Sequence, residues 1–286
     1  MPTNTKDDLR SLEAGLDSLQ LGNVTRTHTA WWKRVLPPIT AIALVWVVWT
    51  WAFNQQFQPE WVLPSPSMVF DSLKAQWEAG FVSASVWNSL KRGVIGFAIS
   101  LLVGTPLGIL VARIKVVRTT LGPVLAGLQQ LPSVAWVPAA VIWFGLTDTT
   151  IYTVVLLGAV PSIANGLVAG IDQIPPLYLR AGKVMGAKGL SSVRHILLPA
   201  ALPGYLQGLE QGWAFAWRSL MAAELIAISP QLGPGLGQLL QTGRELGDMS
   251  LVIGTIILIL ITGITVERMF FSPVRRRVLR NRGLGR

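Results

Sequence analysis

Five stretches of the chain run for 18 residues or more without a charged side chain: 35–53, 93–112, 119–147, 149–171 and 249–266. At the α-helical rise of about 1.5 Å per residue, each is long enough to cross a hydrocarbon core of about 30 Å. A sixth stretch, 204–228, is apolar but interrupted by Arg218 and Glu224. The pattern predicts an all-α polytopic membrane protein with six transmembrane helices. The first thirty residues are polar and carry no apolar h-region, so the first span is expected to remain as an anchor.

Composition agrees with the pattern. The 286 residues are 51% hydrophobic and 13% charged, which lies outside the range of soluble domains and of disordered chains. With no Cys, a disulfide scaffold, thiolate zinc sites and cysteine nucleophiles are excluded. The net charge of +10 raises the question of nucleic acid, yet the basic residues are scattered between apolar runs and form no aromatic-interleaved patch, so no nucleic-acid partner is expected. They read as topology signals. With the N-terminus inside, 19 of the 24 Lys and Arg fall on the cytoplasmic side, which fixes an N-in, C-in orientation. Lys91 and Arg92 are then expected near a membrane edge.

Among the 12 Trp, Trp31, Trp32, Trp49, Trp51, Trp61, Trp77, Trp87 and Trp143 lie near span ends, where they serve as interface anchors. Pro106, Pro132, Pro138 and Pro161 lie inside spans and are expected to bend their helices. Leu9, Leu12, Leu16 and Leu19 have helical spacing, which fits a short surface helix or a disordered tail equally.

Between the fourth and fifth spans lies a cytoplasmic segment, 172–203, that is neither polar linker nor apolar span. After Pro175-Pro176, which suit a helix start, Leu177, Tyr178, Ala181, Val184 and Met185 share one helical stripe, with Arg180 and Lys183 off it. Gly186 stands where a helix C-terminal cap belongs, and a second short helix is expected from Ser191 as N-cap to just before Pro199. The product is a helix, a sharp turn and a helix, either packed on itself at the membrane surface or docked into another protein.

At this loop the sequence resembles a known family. Permeases of binding-protein-dependent ABC importers carry Glu-Ala-Ala, three residues, Gly, nine residues, Ile, one residue and Leu-Pro. Here Arg180-Ala181-Gly182, Gly186 (followed by Ala187), Ile196, Leu198 and Pro199 stand at the same spacing, with Arg180 in place of Glu and Gly182 in place of the second Ala. Further motifs are similar to the nitrate, sulfonate, taurine and bicarbonate branch of that family. They are Leu63-Pro64-Ser65-Pro66-Ser67, Ser89-Leu90-Lys91-Arg92, Pro132-Ser133-Val134-Ala135-Trp136-Val137-Pro138 with Trp143-Phe144-Gly145, Leu198-Pro199-Ala200-Ala201-Leu202-Pro203, Ala222-Ala223-Glu224-Leu225-Ile226 and Gly235-Leu236-Gly237.

The resemblance implies a type I ABC importer permease fold with a cytoplasmic coupling helix. The resemblance covers roughly 61–280, and with the spans and charges the chain is expected to divide into a cytoplasmic N-terminal tail 1–34, a transmembrane permease domain 35–272 with the coupling loop 172–203, and a basic cytoplasmic tail 273–286. It implies two ATP-binding-cassette ATPase subunits, a second permease copy, expected as a homodimer, an extracytoplasmic substrate-binding protein, and a multi-pass place in the bacterial inner membrane. The cargo it implies is a small oxyanion. No Gly-x-x-x-x-Gly-Lys-Ser/Thr phosphate loop occurs, so no cofactor is expected in this chain, and ATP and Mg are left to the partner subunits.

Arg218 and Glu224 need an explanation, because an ionised side chain at the centre of a span costs about 2.5 to 3.5 kcal/mol even on insertion scales. Six residues apart on one helix, they face about 120° from each other and are not partners. Arg218 falls near the midplane, where its planar fork suits an oxyanion or a structural partner on another helix. Glu224 is a candidate for the same pathway or for holding the outer end of its helix. A membrane-embedded enzyme lacks the necessary groups: the two histidines are His28 in the tail and His195 in the loop, and no paired carboxylates lie within the spans. A passive channel or secondary carrier remains the alternative, distinguished by whether flux needs ATP hydrolysis.

Overall fold

The computed structural model describes residues 31–281. The tail residues Leu9, Leu12, Leu16 and Leu19 lie outside the described residues. The chain divides into two units, 1–54 and 55–286. In the first, α1 (Trp31–Asn54) is a single apolar helix whose membrane-length window buries nothing within the chain.

The second unit holds the other helices. They are α2 (Pro66–Glu78), α3 (Phe81–Arg113), α4 (Lys115–Gln130), α5 (Val137–Phe144), α6 (Asp148–Asp172), α7 (Pro176–Val184), α8 (Gly189–Ser192), α9 (Leu198–Ile226), α10 (Leu236–Glu245), α11 (Met249–Val266) and α12 (Ser272–Asn281). Among the described residues four helices are long and apolar enough to cross a membrane. Two shorter ones form a further candidate bent by 100°. The sixth expected span lies within α9, whose 29 residues exceed membrane thickness while Glu210, Arg218 and Glu224 dilute its hydropathy.

One expectation is corrected. The charge-free run 119–147 is not one straight span: it breaks between α4 and the 3₁₀ turn Ser133–Trp136. Pro132 pushes Leu131 out of the helical region, to ψ 131°, and a run of uncharged residues carries no information about direction. Pro138 then falls in the first turn of α5, where its missing N–H costs nothing, while Pro106 and Pro161 are carried inside unbroken helices. The span 93–112 is part of a 33-residue helix that starts at Phe81, and Arg92, at the expected level near the outer membrane edge, does not reach out of the protein. It is enclosed, 6% exposed.

The core is α6 packed between α3 and α9. Most of the expected Trp anchors are exposed, whereas Trp213 and Trp217 of α9 stack inside the bundle at 6.1 Å, with Phe97 edge-on to Trp213 at 5.5 Å. Membrane helices gain little by burying apolar surface from lipid, so close approach through small residues decides their packing. Gly204, Gly208 and Gly212 recur every four residues on α9. A Cβ on Gly208 would stand 2.5 Å from the Gly166 Cα of α6, and one on Gly204 would stand 2.7 Å from the Gly170 Cα. Gly96, Gly104 and Gly108 of α3 meet Val155, Ile163 and Ala164 of α6 at 2.8 to 3.0 Å in the same sense.

Gly208→Val should therefore push two backbones apart and lower stability by about 1–3 kcal/mol or more. Gly122→Ala on α4, where a Cβ meets nothing within 4 Å, should be neutral or stabilising. The denaturant midpoint of each purified variant, compared with the parent chain, checks the pair.

Candidate functional site

At the extracytoplasmic end, α3, α6 and α9 each contribute one charged side chain to a single cluster. Arg92 of α3 donates Nη1 to Glu224 of α9 at 3.1 Å, Nε to Asp148 at the start of α6 at 2.9 Å, and Nη2 to the Leu232 carbonyl. Glu224 is 0% exposed. It also accepts from the Ser89 hydroxyl at 2.7 Å and from the Gly237 N–H at 3.1 Å, and Ser89 in turn accepts from the Leu236 N–H at 2.8 Å.

Ser89 and Arg92 are three residues apart, so both project from one face of α3. A Cβ on Gly235 or Gly237 would stand 2.6 to 2.8 Å from Glu224 atoms, so both glycines are needed for the loop to close over the carboxylate. Burying two ions costs several kcal/mol each, and the arrangement persists because both oxygens of Glu224 are hydrogen-bonded, one to Arg92 and the other to Ser89 and Gly237. Glu224 is thus engaged wholly within the chain. Its partners Ser89 and Arg92, and Asp148 on the other side of Arg92, were not singled out by sequence reasoning as site residues, although Ser89-x-x-Arg92 belongs to one of the motifs quoted above.

Arg218 lies elsewhere. It is exposed on α9, its Nε donates to the Ala214 carbonyl of its own helix at 3.0 Å, and its guanidinium lies 4.7 Å from the centroid of Phe215. Among the described residues it makes no ion pair. Gln207, Gln211 and Arg218 fall within an arc of about 40° and are all exposed, so α9 carries a polar stripe about 80° around the helix from its glycine face. Glu210 pairs with Arg275 of α12 at 3.1 Å.

At the inner end, α7 stops in a left-handed cap. Gly186 has φ +83°, its N–H donates to the Lys183 carbonyl at 3.1 Å, and the Ala187 N–H donates to the Gly182 carbonyl at 2.9 Å. These are the two reversed bonds of a Schellman motif. Gly182 is buried because Ile196 fills the space beside it: a Cβ there would stand 1.9 Å from the Ile196 Cδ1. The expected second helix is corrected, since α8 starts at Gly189 and runs through a π turn, Val193–Leu197, directly into α9. Ser191 caps nothing, its hydroxyl lying 3.5 Å from His195 Nδ1, and Pro199 sits in the first turn of α9, where proline ends no helix. Leu198 follows the buried Leu197 at the start of that helix.

Leu177, Tyr178, Val184 and Met185 are 60 to 89% exposed, and Arg180 and Ala181 are exposed beside them. A cleft of about 780 Å³ opens between Tyr178, Ala181 and Met185 on one side and Ile196 and Pro199 on the other.

A bundle of membrane-crossing helices with an exposed apolar loop at one end defines a polytopic membrane protein. The chain belongs to the binding-protein-dependent transport system inner membrane component family, whose model matches residues 104–276. It is 31% identical to the taurine transport system permease protein of Escherichia coli, over 80% of this chain and 83% of that one. It is 32% identical to a putative ABC transporter permease protein of Methanocaldococcus jannaschii, over 63% of this chain and 66% of that one. Its fold matches an inward-facing methionine ABC transporter at a TM-score of 0.59 and 20% identity, covering 70% of this chain and 97% of that one. The chain is accordingly an inner-membrane ABC permease subunit and not an enzyme, and family membership implies ATPase and substrate-binding protein partners, with nucleotide held by the ATPase.

Two predictions follow from the two ends. Glu224→Gln leaves Arg92 buried with only the half-exposed Asp148 as its counter-charge, and should lower stability by about 3–5 kcal/mol. Arg92→Met with Glu224→Met should cost less than either single change, because no ion is stranded; denaturant titration of all three completes the cycle. At the loop, Gly186→Val meets no steric obstacle, so its whole effect is the strain of positive φ, about 1–2 kcal/mol. Uptake should fall with membrane insertion intact, and Gly186→Asn, which tolerates that conformation, should retain most of it.

Proposed function

We propose that this permease carries a small oxyanion of the sulfonate, taurine, nitrate or bicarbonate class along the polar stripe of α9, as one half of a homodimer. The observation that carries the reading is Arg218. Counting along α9, it lies about 12 Å from Glu210, which pairs with the basic inner helix, and about 12 Å from the outer helix end at Ile226. A guanidinium at mid-membrane depth, exposed beside Gln207 and Gln211 and unpaired among the described residues, needs either a polar path or a second subunit beside it.

The relatives support the class of cargo. Besides the taurine permease, the chain is 26% identical to a putative aliphatic sulfonates permease of Bacillus subtilis and 27% identical to a nitrate import permease of Synechocystis. These anions share planar or tetrahedral oxygens that a guanidinium fork holds in pairs.

Alternating access is driven from the other end. The exposed apolar stripe of α7, with Arg180, Ala181, Gly182, Gly186, Ala187, Ile196, Leu198 and Pro199 forming the loop that presents it, docks into the ATPase, and the unbroken run from α8 into α9 carries the displacement into the membrane. Glu224 serves this reading indirectly, as the fixed outer end of the same helix.

The test is uptake and assembly measured on the same variants. Arg218→Lys keeps the charge but loses the fork, so uptake should drop in part. Arg218→Met should reduce it by tenfold or more, since charge-assisted bonds are each worth about 1.5–3 kcal/mol, with assembly and basal ATP hydrolysis kept. Full uptake by assembled Arg218→Met transporter removes the pathway role; loss of assembly assigns the residue to the dimer contact instead.

A further inference from the structure

We propose that the face of α12 carrying Arg276, Arg277 and Arg280 binds the phosphate of an anionic phospholipid headgroup in the cytoplasmic leaflet. α11 passes through a π turn, Glu267–Phe271, into α12 with no loop between them, so the last span and the basic helix form one rod from Met249 to Asn281. At 1.5 Å per residue, Arg268 lies about 28 Å from Met249, Arg276 about 40 Å and Arg280 about 46 Å. With Met249 at the outer edge of a hydrocarbon core about 30 Å thick, Met269 falls at the inner edge and the backbone of the three arginines about 10 to 16 Å beyond it, so their long side chains meet the headgroup phosphates by turning back toward the bilayer.

The exposed side chains change character along this rod at the same depth. Met269 and Phe270 are 67% and 65% exposed. One and two turns further on, in the same helical register, Met269 is followed by Pro273, Arg276 and Arg280, and Phe270 by Val274 and Arg277. An exposed surface that turns from apolar to cationic within two turns matches acyl chain giving way to phosphate.

The orientation of this face is fixed. Arg275 projects about 100° away from Arg276 and is tied to Glu210 of α9 at 3.1 Å, which holds one side of α12 against the bundle. Arg276, Arg277 and Arg280 lie within an arc of about 100° on another side and bound a groove of about 270 Å³ with Pro273. α12 contains no acidic residue, and among the described residues none of the three arginines has a carboxylate within 4.0 Å. Three like charges around a groove of that size call for an anion with several oxygens.

Depth also separates this face from the ATPase surface. Leu198 lies twelve residues before Glu210 on α9, so the coupling loop begins about 18 Å further into the cytoplasm than the level at which Glu210 meets Arg275.

The full chain, delipidated in mild detergent, is given equal amounts of phosphatidylglycerol and phosphatidylcholine, and retained lipid is counted by native mass spectrometry. The parent chain should retain phosphatidylglycerol in preference, R276Q/R277Q/R280Q should lose that preference by about tenfold or more, and R276K/R277K/R280K should keep it at low salt while losing it more steeply as salt rises. Arg244→Gln, on the opposite side of the membrane, should change nothing. Equal retention by the Gln variant overturns the proposal, as does displacement of the lipid by millimolar inorganic phosphate, which would mark a site for a soluble anion. Loss of ATPase co-purification without any change in lipid retention assigns the face to a protein and likewise overturns it. If the Gln variant fails to insert, the salt dependence of the Lys variant decides, since an unchanged salt response denies any phosphate contact.

Discussion

The crossing of α6 and α9 at Gly166, Gly170, Gly204 and Gly208 is the constraint on which the rest of the bundle depends. A Cβ on Gly166 would stand 2.3 Å from the Gly208 Cα, so at this point the two helices touch backbone to backbone. In lipid there is no hydrophobic force to press them together, and the close approach supplies the dispersion contacts that hold them. It also sets the lateral position of α9. Every functional group named above is carried on that helix or tied to it.

Fixed at the crossing, α9 is fixed again at its outer end by the Arg92, Glu224 and Asp148 cluster. The cluster needs one charged side chain from each of α3, α6 and α9, so it forms only if all three helices arrive in register. The glycine faces of α3 against α6 and of α6 against α9 deliver that register. A buried pair of this kind adds little net stability compared with apolar packing, but an unmatched member is severely unfavourable. Its contribution is selectivity: arrangements that leave Arg92 or Glu224 alone are penalised. The chain's own motifs reflect this, since Ser89-Leu90-Lys91-Arg92, Ala222 to Ile226 and Gly235-Leu236-Gly237 are three pieces of one hydrogen-bonded object.

What the sequence showed and what it hid follow from how local each signal is. The spans were legible because a helix in hydrocarbon must be apolar for about 20 residues whatever its neighbours do. Gly186 was legible because positive φ is a property of one residue. The break at Pro132 was hidden inside an uncharged run, although the proline that causes it was in view. Arg92 was placed at its level but its partners were hidden, because a cation at the end of an apolar run looks the same whether it reaches headgroup water or a carboxylate 132 residues away. The glycine crossing was written in the spacing of Gly204, Gly208 and Gly212, but spacing on one helix does not say which helix answers it. Pro199 was read as a stop where it is a first-turn residue, so the continuity from the coupling loop into α9 was lost.

That continuity changes how the two ends relate. A hairpin ending before Pro199 would be a separate knob, able to move without disturbing the membrane helices. A π turn running into 29 helical residues is instead the lower end of a rod about 44 Å long. With the rod clamped at Gly208 and again at Glu224, a push on the loop cannot be absorbed by sliding α9 alone; it must tilt α9 together with α6 and α3. Arg218 and Gln211 occupy the exposed face of that rod between the two clamps, so any tilt changes what lies opposite them. The loop at one end of that rod and Arg218 on its exposed face are thereby joined through rigid geometry, without a wire of individual contacts between the two.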